Sequence, residues 1–130
     1  MPDLARTAAE MIGGMDPVLW QGAYRFFSTT DRAEAERLRV EAVASFEEEE
    51  GISLIVLAAD DAADAMRRIT LRVHSALDGV GLTAAVSGAL ARNGIACNMV
   101  AAFHHDHVFV PAARAEEAME ILRALQARGG

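Results

Sequence analysis

The sequence predicts an α+β fold of two interlocked halves, residues 1–66 and 67–130, with an antiparallel sheet in the second half. Three observations carry this. Residues 67 to 74, RRITLRVH, alternate Ile69, Leu71 and Val73 against Thr70, Arg72 and His74, the period-two pattern of a strand with one covered face. Residues 82 to 94, LTAAVSGALARNG, place Leu82, Ala85, Val86, Ala89 and Leu90 on one helical stripe, which Asn93 and Gly94 end. Residues 67 to 127 together spell β, α, β, β, α, a split β-α-β unit without its last strand.

The first stretch, PDLARTAAEMIGGM, sets Leu4, Ala8, Met11 and Ile12 at helical spacing before the stop Gly13-Gly14. MDPVLWQG is a turn signal, and AYRFFST, bounded by Gly22 and by Thr30-Asp31, reads as a strand. From Arg32 to Glu50 helix formers dominate, with Ala35, Leu38, Ala42, Val43 and Phe46 roughly on one face, and the four glutamates 47–50 fray the C-terminus. GISLIVLA is an apolar run too short for a good helix and fits a buried strand, while DDAADAM is a connector. In the second half IACNMVAAF and HVFVP read as strands around the turn HHD. The closing segment carries Ala115, Ala118, Met119, Leu122 and Leu125 as the stripe of a last helix. The uncovered sheet edge then needs a partner: residues 23–28, residues 52–57, or a strand of a second chain.

At 130 residues and 52% hydrophobic content the chain builds one compact domain or two closely packed small ones. A net charge of -7 argues against nucleic acid or an anionic membrane as partner, because such binders carry a basic face. The single Cys97 cannot form an internal disulfide, and the N-terminus lacks the pattern of a signal peptide, so the expected compartment is the cytoplasm. No apolar run approaches the ~20 residues of a membrane span.

The run RRITLRVHSALDGVGLTAAVSGALARNGIACNMVAAFHHDHVFVP, with EEEEGISLIVL before it, resembles a family of short stand-alone ACT-domain proteins. The matching elements are Val73-His74-Ser75, Val80 to Ala84, and His105-Asp106-His107 with Phe109, Val110 and Pro111; His104 stands where an aromatic residue is commoner. The resemblance implies a ferredoxin-like βαββα half joined to a smaller ACT-like half. It also implies a regulatory role, with an amino acid as ligand at the loop between the first strand and helix of the second half.

That loop runs from Ala76 to Thr83 and holds the candidates Asp78, Gly79, Val80, Gly81, Leu82 and Thr83. Its glycines permit close backbone approach, the helix start offers N–H groups to a carboxylate, and Asp78 suits an ammonium group. The plainer reading is a tight turn with positive φ at the glycines. Asn98 interrupts an apolar strand; it serves a ligand if buried, and it is ordinary on a solvent face. His74, His105, Asp106 and His107 supply donor types for zinc or another divalent metal if His74 approaches His107 across neighbouring strands. Against this stands a hydrogen-bonded polar turn that shapes the pocket or a dimer contact. Cys97 reads as a small buried hydrophobe, His74-Ser75 is no nucleophile and base pair because strand neighbours point apart, and Trp20, Tyr24 and Phe26 read as packing.

The expected function is a regulatory sensor without catalysis or cofactor. It binds a small amino acid or related zwitterion, forms a homodimer and acts on an unidentified protein. The competing class is a metal protein or enzyme built on the histidine turn.

Overall fold

The computed structural model describes residues 4 to 129, so Pro2, Asp3 and Gly130, at the ends of the predicted first and last helices, lie outside the described residues. The chain divides into two compact units: the described residues through Gln21 together with those from Arg67 on, and Gly22–Met66. By their contacts residues 4–21 group with the second half of the sequence.

In the first unit, α1 (Ala8–Gly13) begins at Thr7, whose hydroxyl accepts from the Glu10 N–H while the Glu10 carboxylate accepts from Thr7 N–H, a complete capping box. Strand β1 (Pro17–Leu19) follows inside the predicted turn. It pairs antiparallel with β5 (Met66–Leu71), Pro17 opposite Leu71 and Leu19 opposite Ile69. This short strand pairs with the Ile69–Leu71 part of the edge that the β, α, β, β, α order leaves open. Next come α3 (Leu82–Arg92), β6 (Asn98–Ala101), β7 (Asp106–Pro111), a 3-10 turn (Ala112–Arg114) and α4 (Ala115–Gly129). The order across the sheet is β1-β5-β7-β6. Sheet and helices enclose one core of Ile69, Leu71, Val108 and Val110 with Met11, Val86, Leu90, Met119 and Leu122. The predicted stripes of α3 and α4 supply its helical side, Ala85 and Leu125 being only partly buried.

The second unit is β2 (Ala23–Thr29), α2 (Arg32–Arg39), β3 (Ala44–Glu47) and β4 (Ile52–Ala58). The single helix expected from Arg32 to Glu50 is thus a two-turn helix and a strand. Residues 44–47 pair with Ile52 to Ile55, because the backbone closes a tight turn in which Glu48 N–H donates to Gly51 O at 2.9 Å. Pairing with a neighbouring strand overrides the helix propensity of the glutamates. Ala35, Ile52 and Leu54 form this unit's core under α2, with Phe27, Leu38 and Val56 packed against it. Tyr24 is buried, whereas Trp20 and Phe26 remain partly exposed.

Candidate functional site

A cavity of about 130 Å³ lies where β5 passes into α3, lined by Met11, Ser75 to Leu77, Gly79, Gly81, Leu82, Thr83, Ala101 and Asp106. Helix α3 starts at Gly81, whose φ of +120° only glycine adopts readily and which has no side chain to cap the helix. Helical geometry leaves the N–H groups of Leu82, Thr83 and Ala84 without an intrahelical acceptor, and they carry the positive end of the helix dipole. Asp106, at the first position of β7, brings a carboxylate to the same cavity. Burial raises its pKa, and a hydrogen bond from the Ser75 hydroxyl together with nearby His105 offset only part of that. The cavity thus joins a donor-rich helix end to a carboxylate short of counter-charge.

The predicted loop residues divide. Gly79, Gly81, Leu82 and Thr83 line the cavity, whereas Val80 is 81% exposed and is not among the lining residues. Asp78 points outward, its side chain 85% exposed and paired with Arg6 at 3.4 Å. The glycines answer to α1 as much as to any ligand: a Cβ on Gly81 would sit 2.8 Å from Ala8 Cβ, and one on Gly79 would sit 3.0 Å from Met11 Sδ. Asn98 is exposed and opens β6 opposite Phe109; Met99 packs toward the core, so by alternation Asn98 faces away from it. The buried-amide reading therefore does not hold.

The histidines do not converge as the metal reading needs. Strand β5 ends at Leu71 because the chain beyond it bonds to the N-terminal segment: Arg72 N–H donates to Met15 O at 2.7 Å and Ala5 N–H to His74 O at 2.9 Å. His74 consequently leaves the ladder before it can face His107, and its ring lies 5.8 Å from that of His104. His105 Nδ1 is 3.4 Å from the Val73 carbonyl. His107, one residue after Asp106, takes the opposite sheet face, where its Nδ1 lies 2.9 Å from Thr70 Oγ1. Trp20 Nε1 donates to that same hydroxyl at 2.7 Å, and the Arg68 guanidinium, which can only donate, reaches His107 Nδ1 at 3.4 Å. Burial, then the Arg68 and His105 charges, lower the His107 pKa. Among the described residues no group of three His, Cys, Asp or Glu is placed to hold a metal ion. Cys97 is half-buried and burial raises its thiol pKa, as befits a packing residue.

Sequence reasoning missed Met11, Ser75 and Ala101 as lining residues, while Ala76 and Leu77 lie within the loop it named. The capping box Thr7-x-x-Glu10 announces α1, but nothing local says that α1 packs on the loop after β5.

Sheet order and helix placement define a ferredoxin-like α+β module with a small cavity at the β5 to α3 turn. The chain belongs to the ACT-domain family: two family models described as ACT domain match residues 6–69 and 66–124. ACT domains are regulatory modules that bind small molecules, often amino acids, and that oligomerise. The chain is similar to a Vibrio cholerae protein of unknown function, described as a possible transport protein. The two share 34% identity over 88% of this chain and 92% of that one, with a TM-score of 0.75. An Agobacterium tumefaciens protein shares the fold at 20% identity and a TM-score of 0.66, covering 85% of this chain and 87% of its own. The ligand-free regulatory subunit of aspartate kinase from Thermus thermophilus also shares it, at 10% identity and a TM-score of 0.60, covering 84% and 95%. No curated protein matches the chain by sequence. Among the described residues no helix is long and apolar enough to cross a membrane.

Proposed function

We propose that this ACT-domain protein is an amino-acid sensor that binds a free zwitterion in the cavity between the α3 N-terminus and Asp106. One observation carries the reading: an uncapped helix N-terminus and a half-buried carboxylate line the same small cavity. The N–H groups of Leu82, Thr83 and Ala84 receive the ligand carboxylate. Asp106, held by Ser75, receives the ammonium group, which supplies the counter-charge that burial makes valuable. Gly79 and Gly81 keep the loop low enough for this approach. No covalent step, metal or cofactor enters the reading. The protein acts in the cytoplasm as a homodimer, and occupancy favours one of its arrangements, which a regulated protein partner reads.

The test is a thermal-shift series on the full chain with the standard amino acids. A ligand that binds only the folded state at one hundred times its Kd stabilises by about 2.7 kcal/mol, a readily measured rise in Tm. The expected result is a rise with a restricted set of amino acids; no rise with any of them at millimolar concentration overturns the proposal.

A further inference from the structure

Three residues from outside its own loop line the proposed amino-acid site: Ala101 and Asp106 from the β6–β7 hairpin and Met11 from the centre of α1. We propose that Met11 is the specificity-determining residue of this site and limits the bound amino acid to a short, uncharged side chain. The inference rests on the reading above.

Met11 is 1% exposed and packs in the same core as Leu82 and Val86, so its side chain has little room to retreat. Nor is α1 free to move outward. Ala5 N–H donates to His74 O at 2.9 Å and Ala76 N–H to Ala5 O at 2.8 Å, a short parallel bridge that ties the N-terminal segment to the cavity loop. Arg6 adds its ion pair to Asp78 on the outer side of that loop. On the inner side the two are at closest approach, with the Gly81 Cβ position 2.8 Å from Ala8 Cβ and that of Gly79 3.2 Å from Arg6 O. Interiors packed to this density answer a volume change with strain, not with smooth expansion.

Volume and charge then set the limit. A closed cavity of about 150 Å³ holds benzene, six non-hydrogen atoms. The cavity here measures about 130 Å³ and opens to solvent past the exposed Leu77, so a ligand side chain directed at Met11 has room for only a few atoms. Among the described residues Asp106 is the one charged group in the lining and is already assigned to the ammonium group, so a charged ligand side chain would meet no partner among them.

The experiment is calorimetric titration of the full chain with glycine, L-alanine, L-valine and L-leucine, for wild type, Met11→Ala and the volume-conserving Met11→Leu. Wild type and Met11→Leu should bind L-alanine about tenfold or more tightly than L-leucine, whose side chain has three more carbons, since a single excess methylene against a packed wall already costs about tenfold. Met11→Ala should lower that ratio by about tenfold. Should Met11→Ala not fold, Met11→Val opens the same wall with a smaller cut, and its alanine-to-leucine ratio should fall in the same direction. A folded enlarging variant with an unchanged ratio overturns the role of Met11 and leaves the amino-acid site standing. Failure of wild type to bind any of the four, or any amino acid in the thermal-shift series, overturns the site itself and this inference with it.

Discussion

The two units run through the same element order, strand, helix, strand, strand, and treat the start of their helix in opposite ways. In Gly22–Met66, α2 is capped by its own chain: the Asp31 carboxylate accepts from Ala33 N–H at 3.0 Å and Glu34 N–H at 3.4 Å. In the larger unit α3 starts at Gly81, which caps nothing, and its N–H groups meet a cavity that a distant carboxylate completes. A helix N-terminus is an anion site by default and ceases to be one when a side chain fills it. The topology is shared; the cap separates a structural turn from a candidate site.

Altering the two turns tests this contrast. The largest effect is expected at the glycines. Gly81→Ala meets a positive φ and a Cβ contact of 2.8 Å with Ala8, and should cost about 2 to 4 kcal/mol in urea unfolding. Gly22 also has a positive φ, +89°, but nothing within 4 Å of its Cβ position; Gly22→Ala should cost only about 1 to 2 kcal/mol. Equal costs would contradict the contact between the cavity loop and α1. Next is Asp31→Ala, which removes the α2 cap and should destabilise by about 1 kcal/mol while leaving amino-acid affinity unchanged. A loss of affinity there would place a site in the wrong unit.

The smallest effect is the pH response of the ligand-free protein. Burial raises the Asp106 pKa in the folded state above its unfolded value near 3.9. Between those two values the native state holds the extra proton, so the contribution of Asp106 to stability is full below the unfolded pKa and is lost as pH rises through the folded one. Asp106→Asn should remove that loss and give a slightly higher Tm at pH 7 than wild type. A lower Tm would mean that the carboxylate stabilises the fold.

How much of this was legible depended on range. The α3 and α4 stripes, the Asn93-Gly94 stop and the β7 run are local patterns, and the structure reproduces them with shifts of a residue or two at their ends. Strand β3 was hidden because Ala44–Glu47 consists largely of residues that helices accept, and only Gly51, at the hairpin turn, signals the reversal. Strand β1 was hidden by Asp16-Pro17, which reads as a turn; a proline at the first position of a strand is tolerated. Within the site, the glycines and the start of α3 could be read from residues 79 to 83. The choice of carboxylate could not. Asp78 stands beside those glycines in sequence and turns outward to Arg6, whereas Asp106 reaches the cavity through the pairing of β6 with β7. Met11 reaches it through the packing of α1, which no periodicity reveals.

In the proposed site Asp106, and not Asp78, holds the ligand's ammonium group. The direct measurement is calorimetric titration of wild type, Asp106→Asn and Asp78→Ala with L-alanine at neutral pH. Loss of a charge-assisted hydrogen bond should weaken binding by Asp106→Asn about ten- to hundredfold. Asp78 is an exposed ion-pair member, and its removal should change affinity by no more than about fivefold. Binding that survives Asp106→Asn and fails in Asp78→Ala would place the ammonium group at Asp78 instead.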